Sequence, residues 1–204
     1  MLEIVNRNSY LLTETDRLNN FRADTRVPRR FRAGLKAYKG SGKDRGHLAA
    51  SANQDIREIQ NSETFLLSNM SPQEPEFNRR IWRRLEEAVR ELNSHEDVLE
   101  TYVLTAPVFY FGEAVEVIGD ADDEYGIDVP VPHAFVKSVL AEDKRGRLRL
   151  WTFEMRNEKL DGKLGDYLVP TYDAEQLVGG RFWDRISGGD LHEQKMDPIK
   201  MWKD

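Results

Sequence analysis

Apolar side chains recur at helical spacing in one stretch of the chain, which begins at Glu76. The intervals between them are one, three or four residues, as expected for one face of a helix, and the positions are Phe77, Ile81, Trp82, Leu85, Val89 and Leu92. Pro75 precedes the stretch, and Asn93-Ser94 follow it. These residues predict where the helix begins and ends.

Shorter runs rich in aromatic and β-branched residues predict strands on both sides of this helix. Before the helix they cover residues 9–14, 44–50 and 64–70, and Ser71-Pro72 is predicted to end the third run. After it they cover residues 100–106, 115–118, 134–141 and 147–155. The last two runs are separated by a hairpin-like turn at residues 142–146.

The other segments complete the predicted architecture. Residues 19–42 read as a long binding loop, and residues 49–61 as a polar helical link. A short helix is predicted at residues 173–177 with Thr171 as its N-cap, while residues 181–204 give no assignable pattern. Residues 44–94 therefore form a strand, connection, strand, helix unit. We predict one α+β domain over residues 1–204, with this unit inside an antiparallel sheet flanked by helices.

Composition narrows the chemistry. The 204 residues include no cysteine, which excludes disulfides and thiolate metal sites and leaves oxygen or imidazole as metal ligands. No basic segment followed by an apolar core opens the chain, and no window approaches the roughly 20 apolar residues of a membrane span. We therefore expect no membrane partner and a cytoplasmic or other intracellular location.

The charges are unevenly distributed. The net charge is −6, yet residues 25–43 hold seven basic residues and no acidic one, whereas residues 113–128 hold seven acidic residues and no basic one. Such polarity predicts a surface that binds a polyanion, with the contacts made by Arg26, Arg29, Arg30, Arg32, Lys39 and Lys43. The alternative is a solvated loop in which basic residues cluster by chance.

Candidate catalytic groups concentrate between residues 44 and 86. His47 follows Arg45-Gly46 at the start of an apolar run, and Asn78 and Glu86 lie on the predicted helix. A general base, a fixed positive charge and hard oxygen ligands together suit attack by water on a phosphodiester.

Three motifs carry a family resemblance. They are Asp-Arg-Gly-His-Leu-Ala-Ala-Ser-Ala-Asn at residues 44–53, Thr-Phe-Leu-Leu-Ser-Asn-Met-Ser-Pro-Gln at residues 64–73, and Phe-Asn-x-x-x-Trp-x-x-Leu-Glu at residues 77–86. In this order and spacing the chain resembles the DNA/RNA non-specific endonucleases, which have the ββα-metal fold and include endonuclease G-like enzymes. The similarity extends over roughly residues 20–180.

The resemblance implies roles for individual residues. His47 would be the general base, since an imidazole with a pKa near 6.5 is largely neutral at pH 7. Arg45 would contact the phosphate, with an ion pair to Asp44 as its alternative role. Asn69 would orient His47 or the attacking water, although an asparagine at a strand end is often turn chemistry.

The predicted metal is Mg²⁺, with Mn²⁺ as a substitute. Asn78 would bind it directly, because Mg²⁺ dehydrates reluctantly and keeps several waters. Glu86 lies eight residues further, about 12 Å along a helix axis, so it would hold a metal-bound water instead.

The chain departs from the family pattern near Phe21. Leu18 and Asn19 stand where relatives commonly carry a second phosphate-binding arginine, and either Arg17 or Arg22 could replace it. Ala106 also stands where the family tends to have glycine.

The resulting hypothesis is a Mg²⁺-dependent, sugar-non-specific endonuclease that cleaves single- and double-stranded DNA and RNA and leaves 5′-phosphates. A catalytically inactive relative that binds nucleic acid or protein is one alternative. A nuclease toxin held by an acidic inhibitor protein at residues 25–43 is another. The resemblance also implies a homodimer.

Overall fold

The computed structural model describes residues 1–5, 16–119, 125–186 and 190–202. The main sheet is antiparallel and has the order β1-β4-β7-β8. Its strands are β1 (Leu2–Ile4), β4 (Val98–Val108), β7 (Ala134–Asp143) and β8 (Leu148–Arg156). Two small antiparallel sheets pair β2 (Asp44–His47) with β3 (Met70–Gln73), and β5 (Val117–Ile118) with β6 (Val129–Pro130).

Helices flank these sheets, as the α+β prediction requires. They are α1 (Glu58–Thr64), α2 (Arg83–Ser94), α3 (Thr171–Val178) and α4 (Leu191–Met196). A π-helix, Phe77–Trp82, leads directly into α2. Single 3₁₀ turns occur at Arg29–Phe31, Leu35–Tyr38, Ser51–Asn53, Leu67–Asn69 and Leu164–Tyr167. No helix in the described ranges is long and apolar enough to cross a membrane.

The largest core cluster lies between the predicted helix and the main sheet. Phe77, Trp82 and Phe135 are at most 1% exposed and pack ring against ring, with centroids 5.2–5.7 Å apart. Trp151 and Phe153 of β8 extend the cluster. This packing fixes the helix, and therefore Asn78 and Glu86, against the sheet.

Several predicted strand boundaries were wrong. Residues 64–70 do not form a strand: α1 ends at Thr64, a 3₁₀ turn follows, and the strand is Met70–Gln73. Pro72 lies inside that strand, opposite Arg45. A proline is tolerated there because both strands of a two-stranded sheet are edge strands, where a missing N–H costs least.

Other elements differ more modestly. The strand predicted at residues 44–50 ends at His47, and the unassigned residues 181–204 contain α4. Thr171 is the first residue of α3 and not its side-chain cap, because its hydroxyl is within hydrogen-bond distance of the Thr152 hydroxyl. The strand predicted at residues 9–14 lies outside the described residues. The assignment of the whole chain to one domain stays a prediction.

Candidate active site

His47 occupies a buried aromatic pocket at the end of β2. Its ring centroid lies 5.2 Å from that of Phe65, edge to face, and 5.9 Å from that of Phe21. The side chain is 9% exposed, and its Nε2 atom has no hydrogen-bond partner among the described residues. Burial, and secondarily the charge of Arg17, lowers the pKa of His47 to about 3. The imidazole is therefore neutral and has a nitrogen free to accept a proton.

Asn69 fixes the backbone immediately after His47. Its Oδ1 accepts a hydrogen bond from the Ala49 N–H at 2.9 Å, and its Nδ2 donates to the carbonyl oxygens of Ala49 and Thr64, both at 2.9 Å. The amide is thus fully used on the backbone. The catalytic role of Asn69 stays a prediction. Because its amide is bonded to the backbone, this geometry favours a role in positioning the segment that carries His47 over direct contact with water.

Asn78 is anchored to the first residue of β2. Its Nδ2 donates to Asp44 Oδ2 at 2.9 Å, and Arg79 binds the same carboxylate with two hydrogen bonds of 2.7 and 2.8 Å. Although burial raises the pKa of Asp44, the hydrogen bonds from Arg79 and Asn78 lower it below its ordinary value. Because Nδ2 is bound in this way, the Oδ1 atom of Asn78 is the one available to a cation.

Arg45 does not form the ion pair with Asp44 that was its alternative role, since Arg79 takes that position. Its guanidinium instead lies over the Phe21 ring, 4.0 Å from the centroid. Phe21 also contacts His47. The exposed Arg45 is therefore held beside the imidazole, as a phosphate contact requires.

Arg17, and not Arg22, faces the site. Its guanidinium lies 5.0 Å from the centroid of Phe65, the ring that packs against His47, and its Nη1 donates to Ser51 Oγ at 2.5 Å. Its charge acts on both His47 and Glu86. Arg22 instead donates to the carbonyl oxygens of Asn20 and Ser62. The charge of Arg17 therefore acts on both the imidazole and the carboxylate on the helix.

Glu86 is half-buried and interacts with a cluster of buried charges. Burial raises its pKa to about 7, opposed first by the charge of Lys137. Its Oε1 atom is buried and accepts no hydrogen bond within the described part of the chain. Glu3 and Arg90 also act on this carboxylate. The geometry thus places a polar carboxylate oxygen in the interior without a protein donor.

Sequence reasoning missed Arg90, Lys137 and Glu3. Arg90 had a detectable signal, since it lies four residues after Glu86 and so on the same helix face. Its Nη1 donates to Asn53 Oδ1 at 3.2 Å, and Asn53 in turn donates to Glu3 Oε1 at 3.2 Å. Lys137 and Glu3 are distant in sequence and gave no such signal.

Several basic side chains of residues 25–43 are paired within the protein. The side chain of Lys43 is 10% exposed and forms ion pairs with Glu74 and Glu116, so it is less available to a nucleic acid than the sequence suggested. Its contact with nucleic acid stays a prediction. Arg26 is paired with Asp24 at 2.9 Å, and Arg32 donates to the backbone of Thr25 and Val27. Arg29, Arg30 and Lys39 have exposed side chains and stay as predicted nucleic-acid contacts.

Position 46 requires glycine because the side chain of Gln73 fills the space that a Cβ atom would occupy. A Cβ atom at this position would lie 2.0 Å from Gln73 Oε1 and 2.5 Å from Gln73 Cγ, and Gln73 is 0% exposed. The close approach anticipated at Gly46 is therefore made by Gln73 across the β2–β3 ladder. The small residue lets the two strands carry His47 and Met70 opposite each other.

We expect Gly46→Ala to destabilise the protein by about 1–3 kcal/mol, the usual cost of overpacking a filled interior. Urea unfolding measures it. Gly165→Ala is the matched control, since the nearest atom to its added Cβ, Met201 Cβ, is 4.0 Å away. Equal stability of the two variants would contradict the proposed clash.

The polar groups of the site fit a hydrated hard cation. Within the described residues no group of three or more His, Asp or Glu side chains could hold a metal ion. The oxygens available are Asn78 Oδ1 and the unpartnered Glu86 Oε1. A site with one direct amide ligand and a further contact through a bound water suits Mg²⁺, which retains much of its hydration.

Comparisons with known proteins identify one family of nucleases. A family profile described as DNA/RNA non-specific endonuclease matches residues 4–188. Human mitochondrial Endonuclease G is 36% identical over 174 residues, covering 82% of this chain and 57% of the human protein. A protein named Nuclease from Syncephalastrum racemosum is 35% identical over 181 residues, covering 82% of this chain and 55% of its own length.

A solved structure is also similar. It is the crystal structure of the EndoG/EndoGI complex, which concerns the mechanism of EndoG inhibition, and the matching chain is 31% identical with a TM-score of 0.79. The match covers 91% of this chain and 78% of that one. Because this chain spans just over half of the curated relatives, the activity of the whole protein is a matter for proposal. Its fold, motifs and family match place the chain in the DNA/RNA non-specific endonuclease family.

Proposed function

We propose that this protein is a Mg²⁺-dependent endonuclease that hydrolyses the phosphodiester bonds of DNA and RNA. The observation that carries the proposal is the buried His47 with its unpartnered Nε2, beside Arg17, whose charge also reaches Glu86 on the helix that bears Asn78. The family description names both nucleic acids, which supports the substrate class.

His47 accepts the proton of the attacking water at the unprotonated nitrogen of its ring. The free imidazole is a weak base, because burial and Arg17 disfavour its charged form. A substrate phosphate beside it adds negative charge and raises its pKa toward the working range. Asn69 holds the backbone that follows His47 and so fixes the direction of the ring.

Arg45 and Arg17 bind the phosphate and stabilise the charge that develops during attack. Asn78 Oδ1 would hold the metal directly, and Glu86 would hold it through a water molecule. Bound Mg²⁺ would supply Lewis-acid stabilisation of the phosphate oxygens and of the leaving 3′ oxygen. The products would carry 5′-phosphates.

The proposal implies that cleavage has weak sequence selectivity. Arg45, Arg29 and Arg30 would all contact phosphates, and phosphate contacts carry no direct sequence information. Such contacts suit single- and double-stranded substrates alike. The homodimer and an intracellular location stay predictions.

A nicking assay tests the activity. We expect supercoiled plasmid and single-stranded RNA to be cleaved in Mg²⁺ or Mn²⁺, with ends that a 5′-phosphate-dependent exonuclease degrades. Excess EDTA should abolish cleavage, and added Mg²⁺ should restore it. Undiminished cleavage in EDTA would refute the metal role. Binding without cleavage under all conditions would favour the inactive-relative alternative.

An inhibitor protein is a second proposed partner. The similar solved structure is that of the EndoG/EndoGI complex. In this chain an acidic protein would meet the exposed basic residues Arg29, Arg30 and Lys39.

A further inference from the structure

Lys137 is a fully buried lysine in the middle of an apolar face. It lies on β7 between Phe135 and Val139, both of which belong to the main core cluster beneath the π-helix and α2. Lys137 is 1% exposed. Lysine is almost never fully buried without a partner, because desolvating an ammonium group costs several kcal/mol. A residue held there at such a cost requires an electrostatic explanation.

The hydrogen bonds of Lys137 do not compensate for its burial. An ammonium group has three N–H donors. Within the described residues its Nζ donates one hydrogen bond, to Thr105 Oγ1 at 2.9 Å. The same atom lies 4.6 Å from the centroid of the Trp82 ring, which favours a cation but accepts no ordinary hydrogen bond.

Two carboxylates in the same region are incompletely satisfied. Glu86 Oε1 and Glu3 Oε2 are both buried without a hydrogen-bond partner in the described part of the chain. Glu86 lies one helical turn after Trp82, the residue whose ring Lys137 covers. Glu3 lies on β1 and is held at its other oxygen by Asn53. The charge of the buried cation acts on both a carboxylate of the proposed site and a carboxylate of the edge strand.

We propose that Lys137 is a positioning residue whose charge attracts the Glu86 carboxylate and holds it in the orientation needed to receive a metal-bound water. This inference rests on the proposed function. Lys137 acts through Glu86 and not on the metal or the substrate, and Glu3 balances its remaining charge. Burial raises the pKa of Glu86 and lowers that of Lys137, and at each residue the attraction between the two is the largest charge interaction that opposes the shift.

The test uses a double variant, because Lys137→Met alone would leave two buried carboxylates without their cation. Glu3→Gln/Lys137→Met removes one negative and one positive charge, so the net charge of the cluster is unchanged. We expect its Mn²⁺ dissociation constant, measured by electron paramagnetic resonance, to rise about 10- to 100-fold above that of Glu3→Gln alone. In its crystal structure the Glu86 carboxylate should have turned away.

Lys195→Met provides the matched control. Lys195 is also a buried lysine, paired with Glu175 at 2.9 Å, in a different cluster. Its replacement should lower Tm without changing Mn²⁺ affinity. If the double variant likewise loses stability but keeps its Mn²⁺ affinity and an unmoved Glu86, Lys137 is merely structural and the inference is overturned.

The outcomes also separate this inference from the proposed function. A wild-type protein that binds no Mn²⁺ and cleaves nothing refutes the proposed function. The position of Glu86 in the metal-free double variant then decides the inference: a displaced carboxylate supports it, and an unmoved one overturns it.

Discussion

Replacing His47 with alanine is expected to lower kcat by about 10²- to 10⁴-fold, the usual contribution of a general base. His47 is the proposed base, and alanine has no group that could accept the proton in its place. KM should change little, because Arg45 and Arg17, and not the neutral imidazole, bind the phosphate. Steady-state cleavage of a labelled duplex separates the two parameters.

His95→Ala is the control for that variant. His95 is exposed and lies just beyond the end of α2, so its loss should leave kcat within two-fold of wild type, a change of roughly 0.4 kcal/mol at most. Circular dichroism shows whether the His47 variant is folded, since the ring fills a pocket between Phe21 and Phe65. A folded His47→Ala protein with near-normal kcat would rule out this base.

Asn78→Ala should raise the half-saturating Mg²⁺ concentration by at least about 100-fold. Loss of a supporting group around a metal typically costs 10- to 100-fold, and Asn78 is proposed as the direct protein ligand. The variant also deprives Asp44 of one donor, while Arg79 continues to hold that carboxylate. Titration of cleavage rate against Mg²⁺ measures the effect.

Arg80→Ala is the control on the same π-helix. Arg80 is exposed and pairs with Glu76, also exposed, so its Mg²⁺ dependence should match wild type. An Asn78→Ala protein whose Mg²⁺ dependence is also unchanged would remove Asn78 from the metal site. High Mg²⁺ should partly restore its rate, since the waters and Glu86 remain.

Local sequence patterns predicted the elements whose signals are local. The helix after Glu76 follows from the spacing of its apolar side chains, and the long strands follow from their β-branched and aromatic residues. Strand ends were harder to predict. The tolerance of Pro72 depends on β3 being an edge strand, which the local sequence does not reveal. The π-helix also escaped the pattern, although it changes the phase between Asn78 and Glu86.

The sequence by itself determined the family motifs, the candidate roles of His47 and Asn78, and the α+β class, because these depend on residue identity and short spacings. Only the tertiary structure decided that Arg17 rather than Arg22 faces the imidazole, that Lys43 is paired with Glu74 and Glu116, and that the charges of Lys137 and Glu86 interact. The physical reason is that charges and desolvation act through space. Packing β1, β7 and α2 together brings residues 3, 86 and 137 into one cluster of interacting charges, which the spacing of these residues along the chain does not predict.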